Sequence, residues 1–160
     1  MKLAEALLLR ADRRRALEQL RARAQANARY QEGEEPSEDA VALLDTALTL
    51  LDELETLIRQ VNVTNSTTRL PDGRSLTAAL AARDVLLLRY SLLNGVADAA
   101  AGSGGQHGAF AIRQMRSELK FVTEVPVASV REQANDVARR HRELDAQIQQ
   151  VNWTTDLLEA

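Results

Sequence analysis

Between Ala40 and Val61 an apolar residue recurs at alternating intervals of four and three: Ala40, Leu44, Ala47, Leu51, Leu54, Ile58 and Val61. A strand exposes alternate residues to opposite faces, so no β register accommodates that spacing. A helix of about 3.6 residues per turn gathers the whole series on one stripe. Leu43, Leu50 and Leu57 widen the stripe, so this coiled-coil-like seam needs cover from more than one side. The pattern returns near the end of the chain at Val130, Ala134, Val137, His141, Leu144, Ile148, Val151, Thr155 and Leu158. Two long stripes with short connections predict an all-α chain, an antiparallel up-and-down bundle of four long helices.

The breaks between stripes place the elements. The first helix is expected over roughly Lys2–Tyr30, ending in the polar run Gln31-Glu32-Gly33-Glu34-Glu35-Pro36. Ser37 offers an N-cap to the second, with Glu38 and Asp39 where the helix dipole favours negative charge, and this helix runs to about Thr64. Pro71-Asp72-Gly73, between Asn65–Leu70 and Arg74-Ser75-Leu76, has the turn residues of a small β-hairpin. Thr77 is positioned to cap a third helix reaching Ala101. Gly102 to Gly108 reads as a flexible loop and Phe110–Val125 as a second short hairpin across the bundle. Pro126 suits the first turn of a last helix running to Leu158. The chain therefore reads as one domain over 1–160: a helical hairpin over 1–65, a connector over 66–76, and a second helical half over 77–160 with a loop at 102–109.

Composition supports this and removes several chemistries. Apolar residues make up 45% of the 160 residues and aromatics only 3%, so the core is built from Ala, Leu, Val and Ile, which suits close helix packing. With no cysteine there is no disulfide scaffold, thiolate nucleophile or Cys-ligated metal site. The N-terminal apolar run Leu3–Leu9 contains Glu5 and leads into Arg10, Asp12 and Arg13-Arg14-Arg15, unlike a signal peptide. No window reaches the ~20 apolar residues of a membrane span. Val85–Ala101, the nearest, contains Arg89, Asn94 and Asp98. A cytoplasmic protein without a membrane partner is expected, and the Asn-x-Ser/Thr triplets at Asn62, Asn65 and Asn152 are then not glycosylation sites.

Charge is divided between the first two helices. Lys2–Arg29 carries eight basic residues, whereas Glu32–Glu55 carries nine acidic residues and no basic one. An arginine-rich helix is a nucleic-acid surface in other settings, but an acidic helix beside it repels phosphate. The pattern fits a hairpin with mutually neutralising flanks, and Arg13-Arg14-Arg15 fits an oligomer contact. No nucleic-acid partner is expected.

The chain also repeats itself. Shifted by 90 positions, Glu53–Thr64 and Glu143–Thr154 are identical at seven of twelve residues. A shared helical stripe accounts for the Leu, Ile and Val matches. It does not account for the common Gln-Val-Asn-x-Thr ending, which suggests an internal duplication. In an up-and-down bundle these endings meet at one end. Asn62, Thr64, Asn65, Asn152, Trp153 and Thr154 are therefore the candidate binding residues, a polar pocket floored by the only tryptophan. The alternative is structural: Asn and Thr satisfying loose backbone groups at helix ends.

His141 stands in the last stripe one turn from Asp145, an i, i+4 pair that would suit a metal given further ligands. A polar residue in such a seam also serves to fix register. His107, the other histidine, lies in the glycine loop. Asp98, Ser103 and His107 have the residue types of a catalytic triad but no rigid elements to hold them. The glycine loop lacks the Gly-Lys-Ser/Thr ending of a phosphate loop. Neither catalytic residues nor a cofactor are predicted.

Arg142-Glu143-Leu144-Asp145, Ile148-Gln149 and Asn152-Trp153-Thr154-Thr155 resemble the C-terminal signature of a small, mostly uncharacterised actinobacterial family, some of whose members are named septicolysin. Met1–Leu7, Gln31–Pro36, Asn62–Asn65, Asp72-Gly73-Arg74, Arg83–Leu86 and Ser117–Lys120 are also similar to it, so the resemblance spans the chain. It implies a helical fold, supplies no catalytic residues, and through the cytolysin name implies pore formation. The sequence thus leads to a helical bundle working through protein–protein contact as a homo-oligomer. A membrane-active protein and a small-ligand or metal binder are the alternatives.

Overall fold

The computed structural model describes residues 1–102 and 122–159. They are all-α: helix α1 spans Leu3–Asn27, α2 Ala40–Thr67, α3 Leu76–Ala100 and α4 Val127–Thr154, with no sheet among the described residues. The loop expected over 102–109 and the hairpin over Phe110–Val125 lie almost wholly outside the described residues. The chain divides into two compact units, Met1–Thr77 with Gln149–Ala160, and Ala78–Ile148.

In the first unit α1 and α2 form an antiparallel hairpin. Arg13 meets Glu53 at 3.2 Å near its middle, and Arg23 pairs with Glu38 near its turn. Asn27 holds the turn together. Its Nδ2 donates to the Arg23 carbonyl at 2.9 Å, and its Oδ1 accepts from the Ser37 hydroxyl at 2.9 Å and the Glu38 N–H at 3.1 Å. Ser37 is therefore engaged with α1 and does not cap α2. That role falls to Asp39, whose Oδ1 accepts from the N–H groups of Val41 and Ala42 at 2.8 and 3.2 Å.

The buried row of α2 is Leu43, Ala47, Leu50, Leu54, Leu57, Val61 and Thr64. The residues expected to widen the seam are its centre, and Leu44 and Leu51 of the expected stripe are exposed. Ala47, Leu54 and Val61 belong to both rows, so the face toward α1 is turned from the expected stripe by about half of the 100° that separates successive residues.

After α2 the chain reverses through Leu70-Pro71-Asp72-Gly73. Gly73 N–H donates to the Leu70 carbonyl and Leu70 N–H to the Arg74 carbonyl, both at 2.9 Å. Gly73 adopts φ +85°, which an L side chain rarely takes. The predicted hairpin is thus a tight turn closed by a single bridging pair, Arg69 with Ser75. It is cut short because α3 already begins at Leu76, which also places Thr77 inside the helix and not at its cap.

In the second unit α3 and α4 run antiparallel, with Arg83 Nη1 3.5 Å from Asp145 Oδ1 and Arg131 Nη2 3.2 Å from Asp98 Oδ1. Ala79, Ala97 and Ala134 are buried with Leu144 and Ile148. Alanine at these points permits close approach of backbones, which is how an aromatic-poor chain fills its interior.

Candidate functional site

All six candidate binding residues fall in the first unit. α4 stops at Thr154, short of the expected Leu158, because the chain then turns to pair with the N-terminus. Leu3 N–H donates to the Thr155 carbonyl and Leu157 N–H to the Met1 carbonyl, each at 2.9 Å. Lys2 completes this latch. Its Nζ lies 2.8 Å from Asp156 Oδ1 and 3.1 Å from the Thr154 carbonyl, where an ammonium complements the negative end of a helix. Lys2 N–H also donates to Glu5 Oε2 at 2.7 Å, closing the first turn of α1.

Thr64 is the buried hinge of the arrangement. Its hydroxyl donates to the Gln60 carbonyl at 2.8 Å and accepts from Leu158 N–H at 3.0 Å, tying the end of α2 to the C-terminal tail. Its counterpart in the repeat, Thr154, makes the same local bond to Gln150 at 2.9 Å but is exposed. The asparagines are reversed: Asn152 is buried and Asn62 exposed. The repeated ending therefore has one local chemistry in two surroundings. Asn65 is half-buried, and Trp153 is 55% exposed. Among the described residues, no buried side-chain nitrogen or oxygen lacks a hydrogen-bond partner.

His141 is half-buried on α4, and Asp145 faces Arg83. Among the described residues, no group of three or more His, Cys, Asp or Glu is placed to hold a metal. Two open grooves run along the hairpins. One of about 600 Å³ lies in the second unit, between Arg89, Leu92 and Leu93 of α3 and residues from Ser129 to Arg140 of α4. The other, about 400 Å³, lies between Arg13, Ala16 and Leu20 of α1 and Thr46, Thr49, Leu50 and Glu53 of α2. Neither the latch nor the grooves were foreseen, since each depends on residues far apart in the chain.

Asp156 titrates below the ordinary aspartate range, through the hydrogen bond from Lys2 and then its charge. A carboxylate lowered by folding adds stability above its unfolded pKa of about 3.9, and that stability disappears as pH falls through the lower folded value. Asp156→Asn is therefore expected to melt below the wild type at neutral pH. The difference should shrink as pH falls from about 4 and close below the lower folded value, where the wild-type aspartate in the folded chain is protonated. A constant difference in melting temperature from pH 7 to pH 2 would rule out the ion pair as its source.

A model of DUF6847, a family of unknown function, matches residues 10–157. A solved structure described as a functionally unknown conserved protein from Corynebacterium diphtheriae is similar over 99% of this chain and 99% of its own, with 34% identity and a TM-score of 0.87. No curated protein matches the chain.

Proposed function

We propose, for a chain that belongs to the DUF6847 family of unknown function, that it acts through protein–protein contact and self-assembles, working in the cytoplasm. The observation that carries this reading is a pair of regular rows of exposed aliphatic side chains, Leu44, Leu48 and Leu51 on α2 and Val85, Leu88 and Leu92 on α3. Contiguous apolar surface of this kind marks interaction sites, whereas single exposed leucines carry no such meaning. Light scattering during gel filtration tests it. A mass that is a multiple of the 17.6 kDa chain is expected, and a monomer at all concentrations would exclude self-assembly.

A second reading places a small polar ligand at the Asn62, Thr64, Asn65, Asn152, Trp153 and Thr154 end. It is supported by their presence in one unit and by the exposure of Trp153. As the only tryptophan, Trp153 reports directly: saturable quenching or a spectral shift with a metabolite mixture favours this reading, and an unchanged spectrum counts against it. A metal at His141 and Asp145 would need ligands beyond these two and would have to displace Arg83. The pore-forming activity implied by the septicolysin resemblance is tested by dye release from liposomes across pH, and no described helix is long and apolar enough to cross a membrane.

A further inference from the structure

We infer that the face of the α1–α2 hairpin carrying Val41, Leu44, Leu48 and Leu51 is the contact between two copies of this chain, related by a two-fold axis parallel to the helices. The inference rests on the self-assembly reading above and specifies the surface and its orientation. These four side chains are 68%, 52%, 52% and 43% exposed and recur at intervals of three, four and three, so they form a second straight row beside the row that faces α1.

The charges flanking that row fix the partner. At about 100° per residue, Arg13, Ala16 and Leu20, which line the groove with Thr46, Thr49 and Glu53, mark one side of the hairpin. Arg10, Arg14 and Arg21 then lie on the other side of α1, together with the apolar row of α2. Beyond that row, on the outer flank of α2, come Asp45 and Asp52, while Glu55 continues the row itself one turn after Leu51. The face thus reads basic, apolar, acidic across its width. Arg10 and Arg14 make no ion pair among the described residues, and neither do Asp45, Asp52 and Glu55. Arg21 has only Glu18, at 3.8 Å. Within one chain the two flanks are kept apart by the leucines between them.

A two-fold axis along the helices lays apolar row on apolar row and basic flank on acidic flank. An axis across the helices sets basic on basic. The register agrees with the first arrangement. The Arg13–Glu53 pair makes Arg14 level with Asp52 and Arg21 with Asp45, each to within about one residue. A parallel two-fold preserves these levels, so Arg14 and Arg21 of one copy stand opposite Asp52 and Asp45 of the other. Arg59, on the same outer flank, is level with Leu7 and opposes no arginine. The contact is isologous and closed, so it yields a dimer and not a filament.

The test uses the full chain, whose lack of cysteine makes any introduced thiol unique. Val41→Cys and Leu51→Cys, placed at opposite ends of the row, are treated separately with a short bis-maleimide. Each is expected to give a covalent dimer with itself. If neither variant does so alone and only the mixture gives dimer, the parallel orientation is overturned. Leu48→Glu is expected to give a monomer with unchanged helical circular dichroism, because the position is exposed in the folded chain. Arg14→Glu is expected to raise the dimer dissociation constant by about tenfold or more, and adding Asp52→Arg to restore it. A wild-type monomer overturns self-assembly altogether. A wild-type dimer that survives Leu48→Glu and yields no cross-link at Val41 or Leu51 overturns this face alone and leaves self-assembly standing.

Discussion

Ile148→Ala is expected to lower the free energy of unfolding by about 2–5 kcal/mol, seen as a lower urea midpoint with an unchanged slope. Ile148 is fully buried on α4. Truncation there removes three carbons from contact and leaves a cavity that helices fixed at both ends cannot readily close. Ile148→Val, which removes a single carbon, should cost about 0.5–1.5 kcal/mol. Leu8→Ala is the control, because Leu8 is exposed and such a change stays within about 0.5 kcal/mol. If Ile148→Ala and Leu8→Ala unfolded at the same urea concentration, Ile148 could not be a core residue. If the two compact units melt in separate steps, the larger shift belongs to the step that unfolds the α3–α4 hairpin.

The sequence was most informative where periodicity alone sufficed. Two stripes with helical spacing required helices, and the polar run after Tyr30 and the Pro-Asp-Gly turn separated them in the right places. Periodicity could not decide which of two adjacent apolar rows on α2 faces α1, since rows through Leu43 and Leu44 have the same spacing. The expected stripe and the buried row share Ala47, Leu54 and Val61, and they differ by a part-turn toward Leu43, Leu50 and Leu57 that only the position of α1 fixes. The cap of α2 was misplaced for a similar reason. Ser37 and Asp39 are both good caps, and Asn27, distant in sequence, engages the serine.

The candidate site was legible in part. The repeated Gln-Val-Asn-x-Thr ending drew attention to the ends of α2 and α4. What it could not convey is that Thr64 and Asn152 are buried while Thr154 is exposed, because the difference arises from the tail that folds back over Thr64 and pairs with Met1–Leu3. Lys2 and Asp156 lie at opposite ends of the chain, and nothing local marks them as partners.

Thr64→Val is the sharpest test of that latch. Valine has nearly the shape of threonine, so the variant leaves packing in place and removes only the hydroxyl. Leu158 N–H then loses its acceptor, while the Gln60 carbonyl keeps its helical partner, Thr64 N–H, and loses only the added side-chain bond. A part-buried donor left without a partner costs about 1–3 kcal/mol, unless the tail detaches and lets water replace the hydroxyl. Either response weakens the latch, and amide exchange at Leu157 and Leu158 should accelerate well before exchange in the middle of α2 does. Thr64→Ser retains the hydroxyl and should keep the slow exchange, although losing a buried methyl lowers overall stability by about 1 kcal/mol. Equal protection of Leu158 in the valine variant and the wild type would mean that the Thr64 hydroxyl does not hold the tail. Faster exchange with valine and not with serine would assign the hold to that single hydrogen bond.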